Sequence, residues 1–276
     1  MALVHGSGPL DRDGAVGPNR PYRDLADGLG ARGIAVLRYD KRTLVHRAAM
    51  AAFGPGLTVD DEVVDDALAA VRLLRGAPGV DPEAIFVLGH SLGGYLAPRI
   101  AARSPEVRGV IVLAGNARGL AEVILDQMET ISAAEGAATP EAAAAIETIR
   151  RQVARLESPD LSPDTPPAEL PFGVPAAYWL DLRDYDPAAT AARLGRPILI
   201  LAGGRDYQVT RADFEGWERS LGDDRDATLR WFPDLNHLLI AGDGPVGPAD
   251  YAIAGHVAAV IPETIAARVD GIVAHG

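Results

Sequence analysis

Short runs of contiguous apolar residues punctuate the chain, and stretches of helical periodicity separate them. The runs at 2–4, 34–37, 84–88, 107–113 and 197–201 are rich in Val, Ile and Leu, and the mixed segment 228–232, Thr-Leu-Arg-Trp-Phe, is a further predicted strand. Such runs predict strands buried on both faces. Between them, 22–31, 60–75, 91–103 and 210–220 are predicted helices, and 249–274 is predicted mostly helical with a break at Pro262. The clearest pattern is 60–75. There Val63, Val64, Ala67, Leu68, Val71 and Leu74 recur at helical spacing. Asp60, Asp61 and Glu62 crowd its first turn, the end where a helix dipole favours anions. Strands alternating with helices of about ten or more residues predict an α/β fold, a mostly parallel sheet with helices on both faces.

One region interrupts the alternation. From Asn116 to Gly195 no strong strand signal occurs. Residues 119–134 and 140–157 are predicted helices, 158–175 is a proline-rich loop, and 187–194 is a short helix with Pro187 at its start and Gly195 just past its end. The predicted organisation is a core from 1–115, a helical cap or lid inserted at 116–195, and a second core part at 196–276. An insertion beyond the C-terminal end of a strand lies where open α/β sheets bind ligands. A pair of buttress helices is the competing reading.

Composition narrows the class. The chain has 276 residues, with 48% apolar and 23% charged, an ordinary globular mix. It has no cysteine, which excludes disulfides, thiolate metal sites and a cysteine nucleophile. The formal charge of −12 disfavours nucleic acid and anionic lipid as partners. Of the 26 Lys and Arg residues only Lys41 is lysine, and with 30 Gly and 21 Pro this reads as codon usage. No stretch reaches the ~18 to 20 apolar residues of a membrane span. Residues 1–8 lack the basic and apolar regions of a signal peptide, so the location expected by default is cytoplasmic. The strand at 2–4 is short enough to suggest that first strands are missing, and a homodimer would cover the edge thus exposed.

The chemistry begins where strand 84–88 meets Gly89-His90-Ser91-Leu92-Gly93-Gly94 and a helix follows. This is G-x-S-x-G in strand–turn–helix context, a tight turn that lifts a serine hydroxyl clear of the sheet. An ordinary βα turn with Ser91 as N-cap is the alternative. Acyl transfer also needs two amides aimed at a developing oxyanion. Leu92, at the helix start, can give one. The turn His5-Gly6-Ser7-Gly8 after the first strand can give the other from Ser7, with His5 fixing the turn. Serine needs a base, and the base needs a carboxylate. His237 lies in a loop past the last strand. His46 lies in a polar stretch and His256 in the last helix. Asp206 follows strand 197–201, with Asp213 and Asp234 as rivals. The order Ser91, Asp206, His237 is that of α/β-hydrolases.

Other motifs are discounted. Gly28-Leu29-Gly30-Ala31-Arg32-Gly33 matches a dinucleotide fingerprint, but a helix precedes it and a strand follows, the reverse of what nucleotide binding needs. No P-loop lysine, zinc-protease or EF-hand spacing occurs. The run Asp60-Asp61-Glu62 reads as a solvated helix start. No metal and no cofactor are expected.

Several segments resemble serine carboxylesterases of the α/β-hydrolase superfamily, and most of all bacterial EstD-type esterases. They are Leu3 to Pro9 with Asp11-Arg12-Asp13, Leu37 to Arg42, Gly89 to Tyr95, Gly204 to Val209, and Leu235-Asn236-His237. They spread over nearly the whole chain. The resemblance implies the triad Ser91, Asp206 and His237, the oxyanion hole Ser7 and Leu92, and small, short-acyl esters as substrates. Met128, Tyr178, Trp179 and Tyr185 of the insertion are candidate substrate contacts, with simple packing onto the core as the alternative for each. Members of this family carry strands before the His5 turn and a further N-terminal domain, and the resemblance leads to the expectation that this sequence lacks both. A peptidase or thioesterase using the same triad, or a non-catalytic binding protein of the same fold, are the competing functions.

Overall fold

Six predicted strands yield five in one parallel sheet. A computed structural model describes residues 1–134, 139–244 and 246–275. The strands β1 (Ala2–Val4), β2 (Phe86–His90), β3 (Gly109–Leu113), β4 (Ile198–Gly203) and β5 (Ala227–Phe232) lie side by side in that order. The register aligns their C-terminal ends: Val4 with Gly89, His90 with Leu113, Leu113 with Leu201, and Gly203 with Phe232. The segments that follow β1, β2, β4 and β5 therefore emerge along one rim.

The strands are apolar on both faces because helices cover both. Ala2, Val4, Val87, Val110, Val112, Ile198, Ile200 and Ala202 pack against α4 (Asp65–Arg75), α5 (Leu92–Ala102), α9 (Pro187–Ala192) and α10 (Arg211–Leu221). Their alternates Leu3, Phe86, Leu88, Ile111, Leu113, Leu199 and Leu201 pack against α1 (Pro21–Gly30) and α11 (Val260–His275). Between β3 and β4 stand α6 (Leu120–Ala134), α7 (Pro140–Glu157), α8 (Ala176–Leu182) and α9. A separate apolar cluster of Ile124, Leu156, Leu161, Leu170, Ala176 and Trp179 joins the first three of these helices. Helix α9 packs with the main core instead. Asp186 caps it through a bond from the Ala189 amide, and Gly195 adopts φ +57° just beyond. Among the described residues no helix is long and apolar enough to cross a membrane.

Three expectations change. Residues 34–37 do not form a full strand. They meet the three-residue β1 through one bridge, Ala2 with Leu37, because so short a neighbour offers little ladder. Residues 249–274 are not one helix with a break. A 3₁₀ segment (Pro248–Ala252) and an extended stretch bridged to Ile240 through Val257 precede α11. Pro262 is the third residue of α11, where a missing N–H costs nothing. His256 is thus in a loop, 82% exposed and 3.2 Å from Asp24. The stretch after Asp40 holds two short helices, α2 (Arg42–Val45) and α3 (Arg47–Ala52), too brief for periodicity to reveal; α8 escaped for the same reason. The misleading glycines are explained by packing. Gly28 faces Pro262 of α11, where an added Cβ would come within 2.8 Å, and Gly33 turns the chain at φ +79°.

Candidate active site

Ser91 sits at φ +54°, ψ −120° between β2 and α5. A non-glycine residue holds such a conformation only where its surroundings impose it. Here a bond from the Ser91 amide to the Leu113 carbonyl (3.0 Å) and one from the Tyr95 amide to the Ser91 carbonyl (2.9 Å) fix the turn. The flanking glycines are required by close approach. A Cβ on Gly89 would lie 2.1 Å from the Gly93 carbonyl oxygen, and one on Gly93 would lie 2.3 Å from that of Val4. Leu92 opens α5, so its amide has no acceptor within the helix.

Asp206 and His237 meet on the same rim. The His237 Nδ1 lies 2.7 Å from Asp206 Oδ2, and both residues are buried. A carboxylate accepts, so Nδ1 carries the proton and Nε2 is left as the basic nitrogen. The second carboxylate oxygen, Oδ1, accepts from the amides of Gln208 (2.8 Å) and Val209 (2.9 Å). Asn236 shapes the loop around His237. Its Oδ1 accepts from the amides of Leu238 and Ile240, and its Nδ2 donates to Asp250. The rival carboxylates are paired elsewhere or turned to solvent. Asp213 is the N3 partner in a capping box with Thr210 and pairs with Arg118, while Asp234 is exposed.

A directed chain of hydrogen bonds ties three rim segments together. His90 Nε2 lies 2.8 Å from the His237 carbonyl oxygen, so it must donate. His90 Nδ1 is then an acceptor for the Tyr22 hydroxyl at 3.1 Å. The Tyr22 oxygen in turn accepts from the Gly6 amide at 3.0 Å. The loop before Ser7, the elbow at Ser91 and the loop of His237 are thereby held in mutual register. The chain needs neutral His90. Burial, then the nearby His237, lower its pKa to about 3. Burial and Lys41 lower that of His5 to about 4, with the ring between Tyr22 and Tyr39. Both histidines stay neutral in the fold while the unfolded chain takes up protons below about pH 6.5. Native stability is therefore expected to fall as the pH drops from there towards 3. A His90→Gln variant, which keeps a donor but does not titrate, should show a shallower dependence of Tm on pH between about 4 and 6.5. Thermal unfolding followed by circular dichroism checks this; parallel slopes would contradict it.

Ser91 borders two spaces, and Ser7 lines both. One, of about 120 Å³, is lined by Gly6, Ser7, Tyr22, His90, Ser91, His237 and Leu238 among others. The other, of about 470 Å³, runs from Ser7, Ser91 and Leu92 to the insertion and is walled by Leu120, Val123, Ile124, Val174, Tyr178, Trp179 and Val209. Of the four expected contacts in the insertion, Tyr178 and Trp179 reach this cavity. Met128 packs in the insertion's own apolar cluster. Tyr185 is bonded to α5: its hydroxyl donates to the Tyr95 carbonyl and accepts from the Arg99 amide.

The acidic run is not a solvated helix start. It forms a π-helical turn, Asp60–Val64, whose carboxylates all have partners. Asp60 pairs with Arg99 and Arg103, Asp61 accepts from Thr58, and Glu62 pairs with buried Lys41. No group of three or more His, Asp or Glu able to hold a metal occurs among the described residues. No local sequence pattern marks Lys41 and Glu62 as neighbours of Ser7. The one signal was that this chain, so rich in arginine, spends its single lysine here.

A family model described as the alpha/beta hydrolase family matches residues 1–275. The chain belongs to the alpha/beta hydrolase family. Among curated proteins this chain is 43% identical to Esterase EstD of Thermotoga maritima over 258 residues, which is 93% of this chain and 58% of that relative. It thus spans little more than half the length of the curated relative it matches. Among solved structures it resembles an esterase of Pyrococcus furiosus (17% identity, TM-score 0.54, 99% of this chain and 79% of that one). It also resembles Est1E of Butyrivibrio proteoclasticus, solved with ferulic acid bound (15% identity, TM-score 0.58, 99% and 88%). At these identities the structural likenesses establish the hydrolase fold.

Proposed function

We propose that this hydrolase is a serine carboxylesterase that cleaves small, short-acyl esters through an acyl-enzyme on Ser91. The observation that carries the reading is the Asp206–His237 pair at 2.7 Å, with His237 lining the same cavity as Ser91, which is held at φ +54°. The relative named as an esterase, at 43% identity, supports the same reaction class.

The steps follow from the groups present. An ester enters beneath α6 and α8, which act as a lid over the sheet. His237 Nε2 takes the Ser91 proton as Oγ attacks the carbonyl carbon. The amides of Ser7 and Leu92 hold the resulting oxyanion. His237 then gives its proton to the leaving alcohol, and the acyl group remains on Ser91. Water, losing a proton to His237, attacks that acyl group; the acid departs and the proton returns to Ser91. Asp206 keeps the imidazole in the needed tautomer and stabilises its cationic form.

The larger cavity holds the acyl chain against Val123, Ile124, Val174 and Trp179. Each methylene buried there is worth up to about 0.8 kcal/mol. A panel of para-nitrophenyl esters of graded acyl length is expected to show kcat/KM rising from acetate to butanoate or hexanoate, then falling as the chain outgrows the space. A steady rise through dodecanoate would contradict the short-acyl assignment.

A further inference from the structure

The loop that bears Ser7 is gripped from behind by a buried ion pair. Lys41 is 2% exposed; its Nζ donates to the Gly6 carbonyl oxygen at 3.0 Å and lies 2.7 Å from Glu62 Oε1. The other Glu62 oxygen, Oε2, accepts from the Tyr178 hydroxyl at 2.8 Å. Four segments meet here: the turn after β1, the stretch before α2, the π-turn before α4, and α8 of the insertion. Glu62 and Tyr178 line the same cavity as Ser7 and Ser91.

Burying a lysine and a glutamate is a poor route to stability, since apolar packing of equal volume generally does as well. The contact is better explained by what it holds. The Gly6 carbonyl and the Ser7 amide are two ends of one planar peptide, and in a trans peptide they point in opposite directions. Fixing the carbonyl fixes the direction of the N–H. A cation on the carbonyl also polarises the amide and strengthens its N–H as a donor. Lysine suits the task because a compact ammonium can sit on a single carbonyl, where a guanidinium presents a wide planar fork.

We propose that Lys41, clamped by Glu62 and Tyr178, is a positioning residue that locks the Gly6–Ser7 peptide with the Ser7 N–H directed at the oxyanion and polarises it for the transition state. This inference rests on the esterase reading above. It predicts a defect in transition-state binding and not in substrate binding.

The test uses Lys41→Met and the double variant Lys41→Met/Glu62→Gln, which leaves no orphaned carboxylate. Competent sites are counted by fluorophosphonate titration of Ser91, so partial unfolding does not enter the turnover number. Both variants are expected to lose about 30- to 100-fold in kcat, somewhat less than deletion of an oxyanion donor, with KM within about 3-fold. Inhibition by an alkylboronic acid, which mimics the tetrahedral adduct, should weaken in proportion, while inhibition by the acid product should not. Lys41→Arg should recover part of the loss. A kcat per titrated site within about 3-fold of the parent, with unchanged boronate affinity, would overturn the proposal even if Tm fell, since a merely structural pair predicts that pattern. Should neither variant fold, Tyr178→Phe, which loses only the hydroxyl, is expected to lower kcat about 3-fold at constant KM, and an unchanged kcat would overturn it. Ser91→Ala separates the two levels. Turnover surviving in Ser91→Ala defeats the esterase reading; turnover lost there but kept in the Lys41 variants defeats this inference alone.

Discussion

Ser91→Ala is expected to lower kcat for ester hydrolysis by about 10⁴- to 10⁶-fold while leaving KM and the fold nearly unchanged. The size of the effect follows from the mechanism. Without Oγ there is no acyl-enzyme, and His237 and Asp206 have no nucleophile to activate. What remains is the oxyanion hole and substrate binding, which speed attack by water by only about 10³- to 10⁴-fold. The fold should survive because the strained turn is imposed by its neighbours. Alanine at φ +54° is no worse placed than serine, and the bonds from the Ser91 and Tyr95 amides do not involve the side chain. Steady-state kinetics with a short-acyl para-nitrophenyl ester, beside circular dichroism, measures both. Turnover within about 10-fold of the parent would remove Ser91 from the chemistry.

Asp206→Asn is expected to cost about 10⁴-fold in kcat, and the hydrogen bonds say why. Oδ1 is fixed as an acceptor by the amides of Gln208 and Val209. An asparagine there must place its carbonyl oxygen at Oδ1, so its NH₂ takes the place of Oδ2 and faces His237 Nδ1. Nδ1 must then accept, and the imidazole proton moves to Nε2. The nitrogen meant to take the Ser91 proton already carries one. Asp206→Glu, which retains an acceptor, should be less impaired at high pH than Asp206→Asn. Equal activity of Asp206→Asn and the parent would mean that another group orients His237.

Much of this is legible in the sequence. The core strands are apolar on both faces, so their runs stood out, and the glycines around Ser91 announced a turn that Gly93, 2.3 Å from a backbone oxygen once a Cβ is added, cannot relax. Asp206 and His237 were legible because both follow strands and emerge at the Ser91 rim. What was hidden depends on contacts between segments far apart in sequence. Glu62 looks like one more acid in a solvated first turn until the π-turn directs it to Lys41. His90 looks like a filler of the elbow motif until Tyr22 and the His237 carbonyl bracket it. Tyr178 and Tyr185 have the same side chain, yet Tyr178 stands on α8 and reaches the cavity, while Tyr185, in the connection between α8 and α9, bonds to α5, a difference that no local pattern encodes.

The acyl-enzyme on Ser91 is the claim on which the rest depends, and trapping it is the direct test. The enzyme is mixed with excess para-nitrophenyl butanoate, quenched in acid within the first turnovers, digested and mapped by mass spectrometry. A burst of nitrophenol is expected, with a butanoyl group on the peptide that contains Ser91, absent in Ser91→Ala and accumulating if water attack is slowed. A butanoyl group on any other residue, or full turnover with Ser91 never acylated, would contradict it.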